Sequence, residues 1–269
     1  MGIGSVGRKA SGGITVALAV AGVALAPAPT AAQDFTWRGR LAAGATLEVK
    51  GVIGDIRAVA ADGDGVQVDA EKYGRRDDPA GVEIVVLEHD EGVTICAVYP
   101  SGRDGRPNEC APGDAGRLNA RDNDVHVNFT VRVPAGVRLV ARTVNGEVEA
   151  EGLGGDVVAS TVNGDVSVST AGLVEANTVN GSIHATLGRA DWTDDLEFET
   201  VNGGITLVLP AEVNADVRAG TVNGRITSDF PLRVEGRLSR RRLRGTIGAG
   251  GHELSLGTVN GSIRIRKST

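Results

Sequence analysis

The chain has 269 residues, 39 of them glycine, with aromatics at 3% and a net charge of −6 from 34 acidic and 28 basic side chains. A nucleic-acid binder normally carries a basic face, so this near balance speaks against one. The charges alternate with Val, Ile and Leu, which excludes a disordered chain, and the length suits one or two domains.

Arg8 and Lys9 open a basic stretch, Ile14 to Ala26 is an uncharged apolar run, and Pro27 to Ala32 is rich in proline and small residues. This is the layout of a secretory signal over residues 1–32, with cleavage expected after Ala32. The apolar run is short for a membrane span, which needs about 20 residues, so no span is expected after removal of the signal. Loss of Arg8 and Lys9 takes the net charge from −6 to −8. Export to the periplasm, cell surface or medium means an oxidising compartment. The two cysteines, Cys96 and Cys110, are therefore expected to form a disulfide.

Residues 33–269 read as one β-domain. Phe35 to Leu41 reads as a strand, and Leu47 to Val59 as a degenerate first copy of a later repeat, capping one end. Residues 62–133 are irregular. Val66 to Ala70, Val82 to Leu87, Val93 to Tyr99 and Val125 to Val133 read as strands there, with a long loop from Pro100 to Arg121 that the disulfide ties down.

Residues 134–269 are dominated by one phrase, Thr-Val-Asn-Gly, which starts at Thr143, Thr161, Thr178, Thr200, Thr221 and Thr258. Strand side chains alternate between faces, so each copy can be read by parity. Residues two and four before each Thr are apolar, as in Leu139 and Ala141 or Leu196 and Phe198, and those of opposite parity are mostly polar. Thr therefore shares the inward face and Val points out. Parity switches across Asn-Gly, so the backbone bends at Asn145-Gly146, Asn163-Gly164, Asn180-Gly181, Asn202-Gly203, Asn223-Gly224 and Asn260-Gly261. Asn and Gly both tolerate the left-handed region, which suits a bend.

Two architectures fit this pattern. In a single-stranded β-solenoid, Asn-Gly is a corner, and Thr and Asn form ladders just inside it. In an antiparallel meander, Asn-Gly is a hairpin turn. Repetition of one phrase favours stacked rungs. The phrase, the Val133-Pro134-Ala135 and Leu209-Pro210-Ala211 approaches and the closing Gly245 to Ile265 segment resemble the bacterial β-strand-repeat family of unknown function, whose members are often labelled candidate adhesins. The resemblance covers roughly residues 40–266. It implies an exported β-solenoid and brings no catalytic residues with it.

The residues themselves offer little chemistry. Glu147, Glu149 and Asp165 form a possible acidic patch on an outward face, which a solvated strand face also explains. No metal motif is complete, and no cofactor is expected. Trp192 is the best exposed-aromatic candidate for stacking on a sugar, although a tryptophan that anchors its loop is the commoner case. Arg240, Arg241, Arg242 and Arg244, in an insertion read as a loop, are candidates to meet an anionic surface polymer or to pair with Asp191 to Asp195. Arg264, Arg266 and Lys267 on the last strand would oppose open-ended self-assembly by charging an edge. The expectation is a monomeric, non-enzymatic exported scaffold that binds an envelope protein or polysaccharide. A polysaccharide-active enzyme and a self-assembling protein are the alternatives.

Overall fold

Val, Ile and Thr alternate with polar residues along most of the chain, and a period of two gives strands with one buried and one solvated face. The computed structural model describes Met1 and residues 33–101, 105–234 and 239–268. The expected signal sequence, Met1 aside, and Arg237 of the basic stretch lie outside them. The protein is all-β. Among the described residues the strands form one ten-stranded and one eleven-stranded sheet, with a 3-10 turn at Pro79–Gly81. No described helix is long and apolar enough to cross a membrane.

Each phrase carries the chain from one sheet to the other. Arg138–Arg142, before the first phrase, lies in the eleven-stranded sheet, and Val148–Leu153, after it, lies in the ten-stranded sheet. Strands flanking a phrase do not pair with each other, so the repeats form no hairpin meander. Successive copies pair parallel and in register instead: Leu139 with Val157 and then Val174, and Val148 with Val166 and then Ile183. The inward residues make the core, and Leu139, Ala141, Val157, Ala159, Val174, Ala176 and Phe198 are at most 1% exposed. Every phrase Thr is buried, while Val162, Val179, Val201, Val222 and Val259 are exposed.

The corner differs from expectation in three ways. The Asn side chains do stack in a column, with Asn163 donating to Asn145 at 2.7 Å, Asn180 to Asn163 at 2.7 Å and Asn202 to Asn180 at 2.8 Å. That column lies on the solvent side, because the bend turns Asn outward while Thr stays in. Thr does not ladder with Thr. Thr161 Oγ1 donates to Gly146 O at 2.9 Å, Thr178 to Gly164 at 3.0 Å and Thr200 to Gly181 at 2.8 Å, so each hydroxyl satisfies a backbone carbonyl one rung away. Glycine also has a different task. No phrase Asn has a positive φ, and neither do Gly146, Gly181, Gly203, Gly224 or Gly261. A Cβ on any of these five would stand 1.8–2.0 Å from a backbone oxygen of the neighbouring rung. Glycine is there so that rungs can touch.

The order of strands departs from the order of the chain at both ends. The degenerate copy is not terminal. Its strands Thr46–Lys50 and Ile56–Ala60 pair on one side with Arg138–Arg142 and Val148–Leu153, and on the other with Gly92–Val98 and His126–Val133. At the other end, Glu253–Asn260 lies between Leu196–Asn202 and Ala215–Asn223, and Ile263–Lys267 lies between Ile205–Leu209 and Ile226–Ser228. Arg264 is therefore paired on both sides and guards no edge, while Arg266 and Lys267 extend past the three-residue strand Ile226–Ser228. The hydrogen bonds record the insertion: Thr258 donates to Gly203 and Thr221 to Gly261, each at 2.8 Å. Antiparallel strands Gln33–Arg40, Gly65–Tyr73 and Glu83–His89 cover both sheets at one end; at the other, Arg242–Ile247 and Leu232–Val234 cover the eleven-stranded sheet, and the ten-stranded sheet ends on the parallel strand Ile226–Ser228.

Cys96, on Gly92–Val98, is bonded to Cys110 with Cα atoms 5.8 Å apart. The disulfide points to an extracytoplasmic setting. It pins a loop over two buried charges on the eleven-stranded sheet, Glu48 and Lys50. The Lys50 ammonium donates to the carbonyls of Ala111, Gly113 and Ala115, while Glu48 accepts from Gly113 N at 2.9 Å and Thr94 Oγ1 at 3.0 Å. Arg142 pairs with Asp114 of the same loop. Cys110→Ser is expected to cost about 3 kcal/mol, the loop-closure value for a separation of 14 residues, read as a lower urea midpoint. An unchanged midpoint would mean that Lys50 holds the loop unaided.

Candidate functional site

Register brings Glu147 and Asp165 side by side, one residue before the paired Val148 and Val166. Glu149 is 3.2 Å from Arg57, and Asp165 accepts the Ser182 N–H at 2.7 Å, so both serve the stack. Among the described residues no group of three His, Cys, Asp or Glu side chains converges to hold a metal ion. Trp192 is not an exposed platform: it is 5% exposed and packs into the core. The acidic insertion pairs with a nearer arginine than expected, since Arg189 reaches Asp191 at 2.9 Å and Asp156 at 3.8 Å.

The basic insertion is a strand where a loop was expected. In Arg242–Ile247 the alternation Arg242, Leu243, Arg244, Gly245 buries Leu243 and turns both arginines out. This strand pairs antiparallel with Ala215–Asn223, placing Arg244 opposite Arg218 and Arg242 opposite Gly220. Arg240 and Arg241 stand just before it, exposed, and their carbonyls accept from Ile226 N at 3.0 Å and Thr221 N at 2.9 Å. Arg218 is paired with Glu253 at 3.1 Å. Among the described residues, Arg240, Arg241, Arg242 and Arg244 make no ion pair.

Register sets these arginines in two rows across the outer face of the eleven-stranded sheet. One row reads Glu197, Ser255, Arg218, Arg244, and the next reads Glu199, Gly257, Gly220, Arg242. Acid stands at one side, base at the other, and the second row has no side chain at its centre. Open depressions of about 480 Å³ and 500 Å³ are both lined by Gly220, the first also by Glu199 and Gly257 and the second by Arg242 and Arg244. Partial burial, and after it the charge of Glu197, raises the Glu199 carboxyl above the usual carboxylate range. The exposed Val201, Val259 and Val222 form a rim along the corner side. The arrangement can hold an anion at the arginine end and accept hydrogen bonds at the glutamate end. Arg218, Glu199, Gly220 and Gly257 were not singled out from the sequence. A signal was present in the residue before each Thr, which reads Arg142, Ser160, Asn177 and Glu199 and then falls to Gly220 and Gly257.

Residues 117–266 match the Toastrack DUF4097 family. No curated protein matches the chain. Similar solved structures include a candidate cell adhesion protein from Clostridium sporogenes ATCC 15579, at 12% identity over 88% of this chain and 100% of that one, with a TM-score of 0.45. Another is a candidate adhesin from Bacteroides fragilis NCTC 9343, at 12% identity over 87% of this chain and 97% of that one, with a TM-score of 0.31.

Proposed function

The chain belongs to the Toastrack DUF4097 family, and from that premise we propose that it is an exported, non-enzymatic, adhesin-like scaffold that binds an anionic envelope polymer. In this reading the two sheets are walls of one single-stranded β-solenoid, residues 1–32 are the cleaved signal, and the antiparallel strands at both ends keep it a monomer. The ligand lies on the outer face of the eleven-stranded sheet, at the end carrying Arg218, Arg242 and Arg244.

The observation that carries this is that Arg242 and Arg244, beside the already paired Arg218, make no ion pair among the described residues. Arg244 stands directly opposite Arg218, and like charges in that position destabilise a sheet. No acid neutralises Arg242 or Arg244 among the described residues, so the fold gains nothing from the arrangement. A guanidinium presents a planar fork of donors that fits carboxylate, sulfate or phosphate, and an anionic ligand would supply the missing partner.

Retention of the protein on immobilised envelope polymers, over a range of salt, tests the proposal. Arg242→Gln combined with Arg244→Gln is expected to weaken binding about tenfold or more and to flatten its salt dependence. Stability is expected to stay level or rise by a few tenths of a kcal/mol, since a like-charge pair is gone. Binding equal to that of the unaltered protein would refute this use of the face.

A further inference from the structure

Gly220 and Gly257 are neighbours in register on an outward row where nothing in the fold asks for glycine. Neither has a backbone in the left-handed region. Among the described residues a Cβ on Gly220 would meet nothing within 4 Å, and the three atoms nearest to one on Gly257 all belong to the Glu199 side chain, at 3.4–3.9 Å. The phrase glycines are the opposite case, with a backbone oxygen within 2.0 Å. Glycine inside a strand weakens it, and where it occurs it often marks the close approach of another backbone or of a ligand. Among the described residues no backbone approaches Gly220 or Gly257 on this side, and a ligand is the remaining candidate.

The bare floor is two strands wide. Glu199 and Arg242 flank it three strand spacings apart, about 14 Å between Cα atoms. A flat ring can lie on the glycine backbone, with the valine rim against its apolar edge. Glu199 can accept from hydroxyl groups, and Arg242 and Arg244 can clamp an anionic substituent at the far side. A polyphosphate has no hydroxyl to donate to Glu197 and Glu199, and can offer that wall only anions that it repels. A sugar acid turns hydroxyls to that wall and its charge to the other.

We infer that this trough is a subsite for an acidic sugar, a pyranose bearing a carboxylate within a polymer. Its ring lies on Gly220 and Gly257, its hydroxyls donate to Glu199, and its carboxylate is held by Arg242 and Arg244. The inference rests on the anion-binding reading of the same face and adds the ligand's chemical class.

The test uses three soluble probes on the full chain: polygalacturonate, polyphosphate and neutral dextran. The protein is expected to bind polygalacturonate most tightly, polyphosphate more weakly and dextran not at all. Gly220→Val with Gly257→Val fills the trough from positions with room for a side chain. It is expected to melt no lower than the unaltered protein, to lose about tenfold or more in polygalacturonate affinity, and to keep its polyphosphate affinity. Glu199→Gln leaves the floor untouched and covers the case in which the double variant folds poorly. It is expected to narrow the preference by weakening polygalacturonate and strengthening polyphosphate. Polygalacturonate affinity unchanged in a folded double valine variant, or in Glu199→Gln, would overturn the sugar subsite and leave the anionic face standing. A preference for polyphosphate in the unaltered protein would do the same. If neither anionic polymer binds, or if Arg242→Gln with Arg244→Gln binds both as before, the anion-binding reading itself fails.

Discussion

Gly203→Ala is expected to cost about 3 kcal/mol or more, at the upper end of what overpacking does and enough to unfold many domains of this size. The new Cβ would stand 1.9 Å from Gly181 O and 2.4 Å from its carbon. These are backbone atoms of the adjacent rung, so no side chain can move aside. Relief requires the rungs to part, and Thr200 Oγ1 on Gly181 O and Asn202 Nδ2 on Asn180 Oδ1 tie the same two rungs together at 2.8 Å. Gly220→Ala is the control in the same stack. Its Cβ meets nothing, and the loss of a flexible residue from a strand should stabilise by about 0.5–1 kcal/mol. Urea midpoints of the two variants, moving in opposite directions, check the claim. A Gly203→Ala midpoint equal to that of the unaltered protein would show that the rungs do not need glycine to touch there.

Ile263→Ala is expected to cost 2–5 kcal/mol, as a large-to-small change at a fully buried site does. Residues near the end of a chain usually fray and tolerate change. Here Ile263 pairs with Ile205 on one side and Ile226 on the other, because the final rung fills a slot between two rungs made earlier in the chain. Leu254 and Leu256 occupy the same slot in the other sheet. Loosening this rung exposes two inner edges at once, so the loss should appear as a lower midpoint of one global transition. A separate early transition confined to the last residues, with the main midpoint unmoved, would contradict the inserted placement.

Much of the repeat was legible because period-two alternation is a local property. Thr200 turns in, Val201 turns out and the chain bends at Asn202-Gly203, all of which follows from the parity of apolar residues on either side. The direction of the Asn side chain did not follow, since it depends on the backbone path through the bend. The reason for glycine was hidden too, because the oxygen that excludes a Cβ belongs to another rung. Rung order was illegible for a deeper reason. Copies that all read Thr-Val-Asn-Gly offer each other the same hydrogen bonds, so nothing in the phrase says that Thr258 follows Thr200 in space.

The candidate site was half legible. Arg242 and Arg244 were visible as a basic cluster, but a run of arginines reads as a solvated loop. Leu243 and Ile247, which bury one face and make it a strand, are too few to show the alternation. Arg218, Glu199, Gly220 and Gly257 belong to three other strands, and only strand order sets them in two rows. Trp192 sits among Asp191, Thr193 and Asp194 in the sequence, which leaves sugar stacking and loop anchoring both open, and its burial in the core decides for anchoring.

A photoreactive polygalacturonate, bound, crosslinked and mapped by mass spectrometry, tests the functional account most directly. Crosslinks are expected on the segments carrying Arg218 and Gly220, Arg242 and Arg244, and Ser255 and Gly257, and to be lost in excess unlabelled polymer. Crosslinks spread over the outward residues of the ten-stranded sheet, or none that unlabelled polymer displaces, would contradict it.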